Sequence, residues 1–403
     1  MKILLGVTGG IAAYKAAELV RAFKKRGDDV RVVMSRGAQE FIAPLTFQVL
    51  SENPVGTEIF DPTYESEIGH IELARWADVV LVAPATANFI GRLAAGMSDD
   101  LLTTVLLATA APVVIAPAMN TQMMLHPFVQ RNLRLLAEHP GYSIVDPDSG
   151  ELACKEVGTG RLPDPPVLLD AVDTATSPGI LKGRKVLITA GPTREHIDPA
   201  RFISNPSTGK MGYALARIAH KLGAEVTLVS GPTSLEAPHG VDFIPVITAR
   251  QMHAEVMPRA ASMDFLVMVA AVADWRPATS SDAKLEKAAI PSNLALERNP
   301  DILAELGERY GVDAVLESPR PLVIGFAAET QDVEARGRAK MQRKKAHMMI
   351  ANQIGGPDSA FGADISSINV LNGTTSVAFR GETKESLAMG IWTEAARARD
   401  GIQ

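Results

Sequence analysis

Apolar runs about as long as buried parallel strands recur along the sequence, and they constrain its fold more than any other feature. They are Ile3–Val7, Val30–Met34, Val79–Ala83 and Val113–Ala116, then Val186–Thr189, Val226–Val229, Phe265–Ala273 and Leu322–Phe326. Strands that lack polar alternation are covered on both faces. Between them lie helix-length amphipathic segments such as Ile11–Lys25 and Met211–Leu222. Strands alternating with helices predict open α/β sheets with parallel strands. Two stretches echo each other: Phe23–Val33 and Ala219–Val229 each read as a helix, a glycine stop and a second strand. Each follows a strand with a glycine-containing turn, Gly6 to Gly10 in one case and Ala190-Gly191-Pro192-Thr193 in the other. The expectation is two Rossmann-like units in tandem, which 403 residues accommodate.

The boundary is expected in Leu162–Gly183, where Pro163, Pro165, Pro166 and Ser177-Pro178-Gly179 surround one short apolar helix candidate. This gives domains at 1–170 and 184–403 with a linker at 171–183. Near the end, Ile368–Leu371, Asn372-Gly373 and Thr374–Phe379 read as a β-hairpin, because Asn-Gly tolerates the positive φ of a tight turn. A formal charge of −6 offers no global attraction for a polyanion, so nucleic acid is not expected as a partner. The single cysteine, Cys154, excludes an intrachain disulfide. The N-terminus carries no signal-peptide pattern, and the most apolar stretch, Leu101–Met119, contains Pro112 and Pro117. A cytoplasmic protein without a membrane span is expected.

Individual motifs leave alternatives open. Gly6-Val7-Thr8-Gly9-Gly10-Ile11 follows a strand and opens a helix, so it serves equally as a tight turn or a phosphate cradle. Asn205-Pro206-Ser207-Thr208-Gly209-Lys210-Met211-Gly212 is not a P-loop, since Ser204 stands at the first glycine position and Met211 at the hydroxyl position. His70 before a helix is a cap, a surface residue or an acid/base group. Asn120 and Asp274 stand where strands should end, which is where open sheets present ligand contacts and also ordinary turns. Cys154 lies in a glycine-rich polar stretch, Gly150–Arg161, too irregular for a strand or helix; a thiol in such a loop can exchange protons. Arg336, Lys340 and Lys344 are spaced to share one helix face, either as a solvated face or as a triphosphate site. No cluster has metal-ligand spacing.

Taken together, these segments resemble the bacterial bifunctional phosphopantothenoylcysteine decarboxylase and phosphopantothenate–cysteine ligase family of coenzyme A biosynthesis. In the first half the likeness rests on Gly6–Lys15, Gly69-His70-Ile71, Ala83–Asn88, Pro117-Ala118-Met119-Asn120 and Cys154. In the second it rests on Ile188–Glu195, Asp198-Pro199, Ile203-Ser204-Asn205, Gly209–Gly212, Ala270–Asp274 and Gly325–Thr330.

The resemblance implies a flavodoxin-like first domain that binds FMN through Gly9, Gly10, Ser35 and a loop of Pro84, Ala85, Thr86 and Asn88. His70 is then the general base, Asn120 holds the substrate carboxylate or amide, and Cys154 donates a proton in the final reduction. The second domain, with its added hairpin, would use CTP with Mg²⁺ to activate 4′-phosphopantothenate as an acyl-cytidylate for attack by cysteine. Asn205 and Lys284 are its implied catalytic residues, with Asp274, Asn299, Pro300, Asp301, Ile302, Phe326, Lys340 and Lys344 at the nucleotide. The family further implies a homo-oligomer with trimeric decarboxylase and dimeric ligase contacts. Pro206, Thr208, Trp275 and Met124 depart from the commonest pattern without removing a catalytic group, and Glu286 interrupts a usually more basic run beside Lys284. Two other readings are a peptidyl-cysteine decarboxylase whose second half recognises a partner, and a flavoprotein that regulates a phosphatase.

Overall fold

Val, Ile and Leu without polar alternation place strands between two helical layers, and both sheets are built that way. The computed structural model describes residues 1–59, 69–151, 157–286, 293–314, 321–354, 364–373 and 375–400. The chain divides into two units, Met1–Ser177 and Pro178–Gln403.

In the first unit, β1 (Lys2–Val7), β2 (Asp29–Met34), β3 (Val55–Gly56), β4 (Val79–Ala85), β5 (Val113–Pro117) and β6 (Tyr142–Ile144) form one sheet. Its order is β3-β2-β1-β4-β5-β6, with every pair parallel. Ile3, Leu5 and Val7 point into one layer with Leu19 and Phe23 of helix Ala13–Lys25, while Leu4 points into the other with Ile90 and Leu102. The strand order reverses between β1 and β4, so the loops leaving their carboxyl ends diverge and open a crevice.

Two expectations are corrected here. Helix Pro165–Ala175 buries Leu168 and Val172 in the first unit's core, so residue 170 lies inside a helix and the division falls after Ser177. Pro165 and Pro166 start this helix instead of breaking the chain, since a first-turn proline gives up no helical hydrogen bond. The glycine-rich stretch around Cys154 is flanked by an antiparallel hairpin, β7 (Asp148–Glu151) with β8 (Val157–Arg161). Its glycines hide the strand pattern because they sit where the backbone passes close to a neighbouring loop. Cys154 itself lies outside the described residues.

In the second unit, β9 (Lys185–Ala190), β12 (Glu225–Ser230), β13 (Asp242–Pro245), β14 (Phe265–Met268), β17 (Leu322–Glu329) and β18 (Met348–Gln353) repeat the order seen in the first. To them are added β19 (Ile365–Asn372) and β20 (Thr375–Thr383), both antiparallel, giving β13-β12-β9-β14-β17-β18-β19-β20. Two short hairpins, β10 (Arg194–Asp198) with β11 (Arg201–Ser204) and β15 (Trp275–Pro277) with β16 (Leu296–Arg298), stand apart from the sheet. Val186 and Ile188 face helices Lys210–Lys221 and Lys384–Asp400. Leu187 faces helices Ala249–Arg259, Ile302–Tyr310 and Val333–Arg343. Trp392 is fully buried, donates from Nε1 to Leu215 O at 2.9 Å and meets Phe265 edge to face.

The run Phe265–Ala273 is not one strand. β14 ends at Met268, and the following apolar residues form a connection stitched to the loop after β9: Ala271 N donates to Gly191 O at 2.9 Å and Ala273 N to Thr193 Oγ1 at 3.0 Å. The hairpin turn sits one residue later than Asn-Gly suggests, because Asn372 pairs with Thr375 and leaves Gly373, at φ +52°, in its first central position. Among the described residues, no helix is long and apolar enough to cross a membrane.

Candidate active sites

At the carboxyl edge of the first sheet, Thr8 ties two loops together. Its buried Oγ1 donates to Pro84 O at 2.8 Å and accepts from Thr86 N at 2.9 Å, so the turn after β1 is fixed against the end of β4. A Cβ on Gly9 would stand 2.6 Å from the carbonyl carbon of Gly37, so the loops after β1 and β2 touch in a way only glycine permits. Ser35 N donates to Val7 O at 3.0 Å, and Ser35 Oγ caps the next short helix by accepting from Ala38 N at 3.3 Å. The expected Pro84–Asn88 loop is instead a strand end and a helix start. Pro84 and Ala85 are buried in β4, Thr86 caps helix Ala87–Ala94, and Asn88 is exposed in its first turn.

Asn120 is likewise an N-cap, its Oδ1 accepting from Gln122 N at 2.8 Å. His70 begins helix His70–Trp76, which connects parallel strands and so returns antiparallel to them, leaving His70 at the same carboxyl edge. Its Nδ1 is buried and has no hydrogen-bond partner among the described residues. The hairpin that carries Cys154 is anchored beside Asn120. Thr121 Oγ1 donates to Thr159 O at 2.9 Å, and Met119 N donates to Gly160 O at 3.0 Å. Gly160 has φ +133°, and a Cβ there would fall 2.2 Å from Met119 O.

The second unit holds a cavity of about 920 Å³ over the carboxyl ends of β9, β14, β17 and β18. Its walls include Asn205, Asp274, Trp275, Asn299, Pro300, Asp301, Ile302, Phe326, Lys340 and Lys344. Asn205 lies past the end of β11, and its Nδ2 donates to Ala271 O and Val272 O, both at 3.2 Å. Asn299 N donates to Asp274 O at 2.9 Å and Asn299 Nδ2 to Ala273 O at 2.8 Å, which draws the Asn299–Ile302 segment to the same rim. Asp301 caps helix Ile302–Tyr310 and is ion-paired with Lys344. Burial pushes the Asp301 carboxyl up, but Lys344 and the Ala304 N–H hold it below the ordinary carboxylate range. Lys340 donates to Phe326 O at 2.8 Å, and burial holds its ammonium below the ordinary lysine range.

Two of the expected cations do not line this cavity. Arg336 does not line the cavity; it is exposed and meets Glu329 at 3.8 Å, while Lys344 sits at the helix cap. Lys284 is exposed and is not among the cavity-lining residues. The residue after it is nevertheless anchored, since Leu285 N donates to Asp198 at 3.2 Å and Leu285 O accepts from Arg201 at 3.3 Å. Buried Asp198 also accepts from Ala200 N at 2.7 Å and Arg201 N at 2.8 Å. Residue-type reasoning gave no role to Thr8, Thr193, Asp198, Ser366 or Lys384, although the first three fall inside quoted motif runs; their contacts join segments far apart in sequence.

Comparison with known proteins agrees with this division. Residues 1–177 match the family model described as Flavoprotein, and residues 181–398 match the DNA/pantothenate metabolism flavoprotein C-terminal domain. The coenzyme A biosynthesis bifunctional protein CoaBC of Vibrio cholerae is 51% identical over 88% of this chain and 87% of its own length. That of Bacillus subtilis is 46% identical over 91% and 89%. A crystal structure of the C-terminal domain of a CoaBC protein is 37% identical, covering 55% of this chain and 99% of that one with a TM-score of 0.46. The chain therefore belongs to the coenzyme A biosynthesis bifunctional family, enzymes that join a flavoprotein decarboxylase to a ligase in one polypeptide.

Proposed function

We propose that the second unit condenses 4′-phosphopantothenate with cysteine at the expense of CTP, and that the first unit decarboxylates the product to 4′-phosphopantetheine. The observation that carries the ligase half is the cavity rim, where Asn205 is held by two backbone carbonyls opposite Asp274 and the Asn299–Ile302 segment. A carboxylate is a poor electrophile until one of its oxygens becomes part of a good leaving group. Transfer of cytidylate to that oxygen releases pyrophosphate, and the cysteine amine then attacks the acyl carbon and displaces CMP. Asn205 donates to the oxyanion formed in that second step by exchanging one of its two backbone carbonyls for it. Lys284 acts at the α-phosphate, and the anchoring of its neighbour Leu285 to Asp198 and Arg201 fixes where that segment leaves the fold. Mg²⁺ arrives with CTP.

In the first unit the crevice between β1 and β4 fits FMN. Gly9 permits close backbone approach, the loops are fixed by Thr8, and the buried Nδ1 of His70 lacks a protein partner among the described residues. When bound, the flavin accepts two electrons from the substrate and returns them after CO₂ has left. Gly9, Gly10, Ser35 and the Pro84–Asn88 segment hold it. His70 takes the proton at the oxidation stage, Asn120 orients the substrate carboxylate or amide, and Cys154 returns a proton at the end. Exposed Tyr14, Phe41, Leu45 and Val49 support self-association of decarboxylase halves within a cytoplasmic homo-oligomer.

The test is the visible spectrum of the purified protein followed by addition of 4′-phosphopantothenate, cysteine and CTP. A yellow protein that releases both pyrophosphate and CO₂ is expected. A colourless protein would overturn the flavin assignment, and absence of CTP-dependent pyrophosphate release would overturn the ligase assignment.

A further inference from the structure

The cavity of the second unit carries two separate pairs of lysines, one from each face of the sheet. Lys340 and Lys344 come from helix Val333–Arg343 and its cap, which pack through Met341 with Leu187, Leu266 and Val323. Lys210 and Lys384 each begin a helix, and those two helices pack on the opposite layer with Val186, Ile188 and Phe265.

The environments of the two pairs differ. Lys344 is ion-paired with Asp301, and Lys340 donates to the Phe326 carbonyl while Glu329 draws on its charge. On that side the carboxylates of Asp301 and Glu329 stand beside Lys340, Arg343 and Lys344. On the other side, Lys384 is half-buried, and among the described residues its ammonium is bonded only to the Ser366 hydroxyl. The charges it feels are Lys210 and Asp364, and Asp364 is itself bridged to Lys210 at 2.6 Å. Lys384 thus has no ion pair of its own among the described residues, and it lines the cavity together with Ser207, Thr208 and Gly209. Burial first, and Lys210 second, hold the Lys384 ammonium below the ordinary lysine range. A desolvated cation without its own counter-ion is costly, and an arriving anion relieves that cost.

We propose that Lys384, with Ser366 and Lys210, binds the terminal phosphates of the nucleotide and receives pyrophosphate as it leaves, a role distinct from that of the Lys340–Lys344 side. This rests on the ligase reading. As the substrate carboxylate oxygen forms its bond to the α-phosphorus, the bond from that phosphorus to the bridging oxygen breaks. The electron pair stays on the departing pyrophosphate. Lys384 stands where that charge grows, so it binds the leaving group without touching the nucleoside.

The experiment is calorimetric titration of the full chain with CTP, CMP and inorganic pyrophosphate, each with Mg²⁺. Lys384→Gln is expected to weaken CTP and pyrophosphate about tenfold or more, with CMP affinity unchanged and Lys384→Arg restoring most of the loss. Retained CMP binding reports a folded ligase unit. Should Lys384→Gln lose CMP as well, the milder Ser366→Ala carries the test, with a several-fold loss for CTP and none for CMP expected. Equal affinities for CTP in wild type and both variants would overturn the proposal, as would a phosphate-selective loss confined to Lys344→Ala. A wild-type chain that binds no CTP would instead overturn the ligase reading on which it rests.

Discussion

Replacing Gly160 by alanine should uncouple the last step of decarboxylation from the earlier ones. At φ +133° a non-glycine residue costs on the order of 1–3 kcal/mol. The new methyl would stand 2.2 Å from Met119 O, about 1 Å inside contact distance, so the hairpin must move away from that carbonyl. Movement breaks the 3.0 Å bond from Met119 N to Gly160 O, worth about 1 kcal/mol. The sum is roughly 2–4 kcal/mol, less than the stability of a typical domain, and the hairpin lies outside the main sheet. The unit should therefore stay folded while its hairpin undocks. That energy shifts the docked fraction by about 30- to 1000-fold, and with it the proton return assigned to Cys154. Single turnover with 4′-phosphopantothenoylcysteine should then release CO₂ at a near-normal rate while the yield of 4′-phosphopantetheine falls and an oxidised intermediate accumulates. Amide exchange at residues 157–161 should rise in parallel. Normal product yield from this variant would refute the reasoning, as would loss of flavin together with CO₂ release.

Thr8→Val keeps the shape but removes the Oγ1 bonds to Pro84 and Thr86, leaving the Thr8 N to Pro84 O bond between the β1 and β4 loops, so FMN affinity, followed by flavin fluorescence, should drop about tenfold with little change in the sheet. Cys154→Ser should release CO₂ without forming the reduced product, measured by mass spectrometry of the reaction mixture. Asp198→Asn removes the carboxylate that gathers Ala200, Arg201 and Leu285, and pyrophosphate release should fall at least tenfold while CMP binding is retained. The same carboxylate titrates below the ordinary range: burial raises it, but the Ala200 and Leu285 amides and Arg201 outweigh that. Its contribution is thus complete above the unfolded carboxylate pKa and is lost only as pH falls through the depressed folded value. Asp198→Asn should therefore flatten the acid limb of the ligase unit's stability curve between those two values, measured by denaturant unfolding as a function of pH.

The sheets were legible because buried parallel strands announce themselves as uninterrupted Val, Ile and Leu, and the helices between them because their polar faces repeat at helical spacing. The pattern misleads where an apolar run continues past the end of its strand. Val269–Ala273 lines the cavity and only Ala273 is buried, and its amides bond to the Thr189 side chain, Gly191 O and the Thr193 side chain. β13 escaped notice for the opposite reason, since Asp242–Pro245 is an edge strand only partly covered. Motifs located Asn205 and the Asn299–Ile302 segment at one rim, but spacing alone could not separate Lys340 from Arg336. Which of two residues one turn apart faces a cavity depends on how the helix is rotated by its buried Gly337 and Met341. Ser366 and Lys384 had no local signal, because their meeting depends on a hairpin returning the chain to the sheet.

That hairpin has a consequence for how the chain is made. The first unit has all its core segments by Ser177, so it can fold while the remainder is still being synthesised. The second cannot close so early: Leu387, Ile391 and Trp392 fill the layer beneath helix Lys210–Lys221. Ligase competence therefore waits for helix Lys384–Asp400 to leave the ribosome. Until then the core residues that this helix covers lack that partner, so a prematurely ended message leaves the second core incomplete and the first whole.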